Sequence, residues 1–260
     1  MPDKSTHHWL LLRGLSREAA HWGKFIAQMQ TALPNTQITT LDLPGAGRYY
    51  SDKSPCTIPE ISAIVHRQAR LAGLLEKPVT ILALSLGGMV AWEWLLNYPQ
   101  GLHGAVLVNS SFANLSPFYQ RLRWQNYGRF AQLLWQTDVY RRELAILQLV
   151  CNQREFDEIR AAEWSQIQTE RPVSLKNSLR QIYAAVNYKP GTDRPRQPIL
   201  LINSRGDRLV APACSEAIQK KWDMELYTHP WAGHDLCLDD GAWLANRLKD
   251  WQEGQSIATI

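Results

Sequence analysis

No apolar run in this sequence approaches the ~18 residues needed to cross a bilayer; runs such as 9–12 and 79–84 have the length of strands. Cysteine is scarce. Cys56, Cys151, Cys214 and Cys237 stand far apart, form no CxxC pair and keep no metal-ligand spacing with the seven histidines, which points to reduced structural thiols and implies no metal and no organic cofactor. Neither sign of charge dominates: 28 Lys and Arg against 24 Asp and Glu leave +4, which gives no nucleic-acid footprint. Repeats, low-complexity tracts and linkers are missing too. The start is polar and leads straight into a strand, so a signal peptide is not expected and the cytoplasm is the expected location. What the chain does have is 45% apolar residues over 260 positions, enough for one large core.

Short apolar stretches at 9–12, 37–41, 79–84, 104–108, 198–203 and 224–228 read as six strands. Between them the 3.6-residue period predicts helices at about 18–33, 58–76, 86–97, 212–221 and 242–251. The second opens on Thr57-Ile58-Pro59-Glu60, a capping box with an early proline. Strands alternating with helices imply right-handed crossovers and a mostly parallel six-stranded sheet covered on both faces, the α/β class. The interval 113–190 breaks the alternation with helical stretches at 127–135, 139–150 and 175–186 and no strand. It reads as a helical lid inserted after the fourth strand of a core formed by 1–112 and 191–260.

Parallel sheets bind ligands at the carboxyl ends of their strands. Arg13-Gly14-Leu15 follows the first strand, Ser85 the third, Gly206-Asp207 the fifth and Gly233-His234 the sixth. Ala83-Leu84-Ser85-Leu86-Gly87 carries small residues two before and two after the serine, the spacing of a sharp strand-to-helix turn that exposes a nucleophile. An ordinary β-to-α junction would instead use the serine as a helix N-cap. Serine, aspartate and histidine on three strand ends, in that order, favour the nucleophile.

Four motifs together resemble the α/β-hydrolase fold family over nearly the whole chain: Asp42-Leu-Pro-Gly-Ala-Gly-Arg48, Ala-Leu-Ser85-Leu-Gly-Gly, Arg205-Gly-Asp207-Arg-Leu-Val-Ala-Pro212 and Ala-Gly-His234-Asp-Leu-Cys-Leu. Within that family the chain is similar to compact bacterial lidded serine esterases, such as the pimeloyl-acyl-carrier methyl ester esterase group. It departs from the family at Arg13-Gly14, where His-Gly is usual, and at Ala46, where the second histidine of Pro-Gly-His-Gly is usual. The resemblance implies Ser85 as nucleophile, His234 as base and Asp207 as the acid that orients it, with the backbone amides of Leu15 and Leu86 as the oxyanion hole. Asn109, at the end of the fourth strand, occupies the alternative place for that acid. Arg13, directed into the pocket, would favour an anionic substrate; folded back, it would pair with a loop carbonyl or carboxylate. Ser16 would add a hydroxyl to the site or serve its turn. A serine at the elbow excludes halide-displacing relatives, which need aspartate there.

The expected function is therefore hydrolysis of a carboxylic ester or thioester through an acyl-enzyme on Ser85. A lyase or acyltransferase using the same triad, and a non-catalytic receptor or scaffold on the same fold, stay open. The lid carries 11 Lys or Arg against 7 Asp or Glu. Arg121, Arg123, Arg129, Arg141 and Arg142 would recognise an anionic or carrier-bound substrate, or simply form a solvated face. Trp124, Tyr127, Phe130 and Trp135 would line an acyl pocket or pack the lid on the sheet. The remaining expected partner is the chain itself, as a monomer or a small homo-oligomer. His229 and Cys237 read as packing residues.

Overall fold

The computed structural model describes residues 7–258. Residues 1–6 and 259–260, where the signal-peptide expectation and the outer limits of the core fall, lie outside the described residues. Six strands, β1 (His7–Leu12), β2 (Thr36–Leu41), β3 (Val79–Leu84), β4 (Leu102–Val108), β5 (Ile199–Ser204) and β6 (Glu225–His229), form one sheet in the order β2-β1-β3-β4-β5-β6. Every pairing is parallel. The inner strands β3 and β5 are buried throughout, while the edge strands β2 and β6 are mixed; only strands covered on both faces can be buried at every position.

Alternation of side chains builds two cores from one sheet. Leu10, Leu12, Ile81, Ala83, Ala105 and Leu107 face one way, onto α2 (Ile58–Leu71), α3 (Leu86–Asn97) and α9 (Ala213–Trp222). Trp9, Leu11, Leu82, Leu84, Val106 and Val108 face the other, onto α1 (Phe25–Ala32) and α10 (Leu236–Ala258).

Three predicted helix limits shift for a local reason, and the last helix runs on to Ala258 where an end near 251 is expected. The helix expected from residue 18 is a 3-10 turn, Ala19–Trp22, then α1, because Gly23 takes φ +50 and breaks the run. α2 stops at Leu71 instead of near 76, with Gly73 at φ +69. α10 starts at Leu236 and is kinked at Asp240, whose Oδ1 accepts the Trp243 amide at 3.0 Å and caps the part predicted from 242.

Between β4 and β5 lie α4 (Phe118–Arg121), a 3-10 turn (Trp124–Asn126), α5 (Tyr127–Trp135), α6 (Val139–Val150), α7 (Asp157–Glu170) and α8 (Leu175–Asn187). Asp138 and Ser174 cap α6 and α8 through the amides of Arg141 and Asn177. The insertion has a small core of its own at Leu147, Cys151, Ala161 and Trp164.

Its attachment to the β1–α1 loop is polar and largely buried. Arg17 pairs with Glu143 at 2.6 Å and lies over the Trp164 ring at 4.2 Å, and Arg171 grips Glu18 through two guanidinium nitrogens. His21, packed edge-on against Trp164, accepts the Glu18 amide on Nδ1. Burial and then the Arg17 guanidinium push the His21 pKa well below its ordinary value. Folded His21 is therefore neutral where the unfolded chain's histidine takes a proton, so stability falls as pH drops below the unfolded pKa. Between about pH 7 and about pH 5 this linkage is worth at most ~2 kcal/mol. Urea midpoints at those two pH values should show wild type losing more than His21→Gln; equal losses would remove His21 from the acid transition.

Candidate active site

Ser85 ends β3 and starts α3 with φ 56 and ψ −116, a conformation that costs a residue carrying a Cβ. Its surroundings hold it there. The Ser85 amide donates to Val108 O at 2.8 Å, and Ser85 O accepts the Gly88 amide and the Ser110 hydroxyl, both at 2.9 Å. β1 presses against the turn: a Cβ on Gly14 would lie 3.1 Å from Ser85 Cβ, and one on Gly87 would lie 2.7 Å from Arg13 O. Smallness at position 87 thus makes room for the end of β1. The amides of Leu86, the first residue of α3, and of Leu15, in the β1–α1 loop, donate no hydrogen bond among the described residues.

His234, in the β6–α10 loop, and Asp207, after β5, are both buried and meet at 2.7 Å between Nδ1 and Oδ2. The other Asp207 oxygen accepts the amides of Leu209 and Val210 at 2.8 and 2.9 Å, which fixes the carboxylate plane. A carboxylate so engaged can only accept from the ring, so Nδ1 carries the proton and Nε2 is left as the basic nitrogen. Ser85 Oγ makes no direct hydrogen bond with His234 among the described residues. Apo nucleophile–base contacts are often loose in this way.

Asn109, at φ 49, is not a second orienting group for the ring. Its side-chain amide donates to the backbone oxygen of His234 at 2.8 Å and to Ser204 Oγ at 3.2 Å, bracing the loop that carries the histidine. The sequence did not single out Asp239 for this work. Its carboxylate accepts the amides of Gly233 (2.6 Å), Asn152 and Gln153 and so ties the same loop to the insertion. Burial raises its pKa, against the pull of those amides. A donor-rich loop within reach of a carboxylate leaves no periodic signal. His229 accepts the Ala232 amide at 2.9 Å, and the Cys237 thiol, pushed up by burial, is a packing group, as expected.

The expected substrate contacts are revised. Arg13 is buried, forms a two-pronged ion pair with Asp235 and lies 4.9 Å from the Trp22 ring centroid, so its charge is spent on a neighbour of His234 and does not face a ligand. Ser16, at φ 55, has its amide on Gln181 Oε1 (2.9 Å) and its hydroxyl on Ser178 (2.8 Å): it is a turn residue that fastens α8. Trp124, Tyr127 and Trp135 enclose no acyl pocket, being 64%, 38% and 84% exposed. Ala46 is fully buried and titrates nothing. A surface depression between α2 and the 44–53 turn, lined by Tyr49, Asp52, Lys53 and Arg67, shares no residue with the Ser85–His234–Asp207 set and holds no nucleophile–base pair.

A parallel sheet with a serine elbow after β3, an acid loop after β5 and a histidine loop after β6 defines a class. The chain belongs to the alpha/beta hydrolase family, whose sequence profile matches residues 9–247. Among solved structures it is similar to a thermophilic esterase from Thermogutta terrifontis, with 18% identity, TM-score 0.73, and 96% of this chain and 90% of that one covered. A hydrolase from Pseudomonas aeruginosa follows the same fold at 20% identity and TM-score 0.72, covering 95% and 90%. So does 2-hydroxy-6-oxo-6-phenylhexa-2,4-dienoate hydrolase from a Rhodococcus species, at 17% identity and TM-score 0.72, covering 95% and 91%. No curated protein matches the chain.

Arg13 precedes Gly14-Leu15 and Asp235 follows His234, so one buried ion pair joins the first strand's loop to the histidine loop. Removing one partner strands a buried charge, which typically costs ~3–5 kcal/mol, whereas replacing both by apolar groups is far milder. Urea unfolding of Arg13→Met, Asp235→Leu and the double variant should show the double recovering at least half of either single loss. Additive losses would mean that the two groups act separately.

Proposed function

We propose that the chain is a serine hydrolase that cleaves a carboxylic ester or thioester through an acyl-enzyme on Ser85, with residues 113–190 as its lid. The 2.7 Å contact between His234 Nδ1 and Asp207 carries this reading, because it leaves Nε2 as the ring nitrogen without a proton, and Ser85, held at φ 56, stands at the end of a strand of the same sheet. A serine hydroxyl is a weak nucleophile at neutral pH and needs such a base. Ser85 Oγ attacks the carbonyl carbon while His234 Nε2 takes its proton, and Asp207 stabilises the resulting imidazolium. The carbonyl oxygen becomes an anion that the amides of Leu86 and Leu15 receive, each worth ~3–4 kcal/mol. Both amides are unspent among the described residues, which supports that role.

The tetrahedral adduct collapses, the bond to the leaving oxygen or sulfur breaks, and His234 returns its proton to that atom. Water then attacks the Ser85 ester with His234 again as base, releasing the acid and restoring the hydroxyl. The likeness to an esterase and to two other hydrolases supports water as the acceptor. Arg13 supplies no charge to the substrate in this scheme, since Asp235 already neutralises it.

A fluorophosphonate probe should modify Ser85, and Ser85→Ala should abolish both labelling and turnover of nitrophenyl esters. Ser85→Ala and His234→Ala should each cost ~10⁴-fold or more in kcat, with the double variant little worse than either. Labelling at Ser110, Ser111 or Ser204, or losses that multiply, would overturn the assignment.

A further inference from the structure

Helix α8 is inside out. Its buried residues are Asn177, Gln181 and Ala184, while Leu175, Leu179, Ile182, Tyr183 and Val186 are exposed. At 100° per residue those five share one stripe, opposite the buried face. The orientation is enforced: Asn177 accepts the Ser54 amide at 3.0 Å and donates to Asp52 O at 2.8 Å, and Gln181 accepts the Ser16 amide and donates to Pro44 O. With its polar side spent on loop backbone, the helix can only turn its apolar side outward.

The exposed surface continues past the helix. Arg121 donates to the backbone oxygens of Ala185 and Val186 and so holds α4 to the end of α8, and Phe118 of α4 stacks on Tyr127 of α5 at 6.5 Å. Phe118, Trp124 and Trp135 are each more than half exposed. Five exposed apolar side chains on one face of a single helix exceed the singly scattered apolar residues that a free surface carries.

Charge identifies what covers it. All seven carboxylates of the insertion lie in 138–170; residues 113–137 carry three arginines and 171–190 carry four Lys or Arg, with no Asp or Glu in either stretch. The two acid-free stretches expose Phe118, Tyr119, Trp124, Tyr127, Trp135 and the five residues of the α8 stripe, against Tyr140, Phe156 and Ile159 in the acid-bearing one. Of their cations, Arg171 is already paired with Glu18 and Glu170. Lys176 and Arg180 border the α8 stripe. Arg123, Arg129 and Arg208 converge with Gln125 and Asn126 on one surface hollow beside Trp124. A second copy is a poor occupant, because a two-fold contact would set one cationic face on another. An anionic lipid surface meets both requirements, taking apolar and aromatic side chains into its interfacial layer and arginine and lysine against its headgroups. No helix among the described residues is long and apolar enough to cross a membrane, so the contact is peripheral.

From this we infer that the α8–α4–α5 face of the insertion docks on anionic lipid. The inference is independent of the chemistry at Ser85, since docking is read without turnover. The full chain should co-sediment with phosphatidylcholine vesicles containing phosphatidylglycerol at least ~10-fold better than with phosphatidylcholine alone, and the gain should shrink with salt. Leu179→Ser with Ile182→Ser, and separately Lys176→Glu with Arg180→Glu, should each lower that binding ~10-fold or more. Leu179, Ile182 and Lys176 are exposed and Arg180 partly so, and an unchanged melting temperature for each variant shows that the fold is kept. No sedimentation with either vesicle overturns the inference. So does binding that survives the two serine substitutions, which is charge adsorption alone. Self-association abolished by those substitutions, without vesicle binding, would make the face a homodimer contact. Retention on immobilised polyglutamate but not on vesicles would make the partner an acidic protein. Either of these results also overturns it.

Discussion

The close approach of β1 to the β3–α3 turn is the constraint on which the rest of this molecule depends. The chain leaving β1 passes Ser85 at Gly14 with almost no space for a side chain, and Gly87 leaves room for the carbonyls of Leu12 and Arg13. That squeeze keeps a non-glycine residue in a conformation it would not choose, and it brings the Leu15 loop beside the first turn of α3. Strain of this kind persists only where neighbours over-determine the backbone. Here they do so through Val108 O, the Ser110 hydroxyl and two glycines.

Around that point the loops are fastened by polar groups. Asp207 is fixed by two backbone amides and by His234, and the His234 loop is held by Asn109, Asp239 and the Arg13–Asp235 pair. The sheet relies on area and packing, which tolerate substitution of similar volume. These loops rely on buried charges and donors, where loss of one partner leaves the other unsatisfied. Precision at the strand ends therefore comes from a few specific pairs, and the large core beneath supplies the rigidity they act against.

The insertion obeys both rules in different places. Its inner side meets the β1–α1 loop through Arg17–Glu143, Arg171–Glu18 and the Gln181 side chain, and the loop between β2 and α2 through Asn177 and Gln181. Because that side is polar, the apolar stripe of α8 is left outside with a cationic border. The same hydrogen bonds that fix α8 over the Ser16 turn also set the character of the surface, so attachment and exposure are one structural decision.

Much of this was legible in the chain before folding. Six short apolar runs, a serine between small residues and an aspartate and histidine at later strand ends are local patterns, and local sterics and strand periodicity make them readable. The Thr57 cap and the helical character of 127–135, 139–150 and 175–186 were readable for the same reason. Contacts between distant residues were not. Arg13 and Asp235 lie 222 positions apart, and nothing in either neighbourhood indicates that they neutralise each other and not a ligand. Asn109 and Asp239 act on backbone groups, which every residue possesses and no residue type advertises. Period and composition show that α8 has an apolar face, and that 171–190 lacks acids, but which face turns inward depends on loop amides and carbonyls that only the folded chain brings to Asn177 and Gln181. Sequence alone determined the class of fold and the chemical types at the strand ends, because both follow from short-range rules. Tertiary structure alone decided which charges are spent in pairs and which apolar side chains remain on the surface, because burial and partnership arise only when distant segments meet.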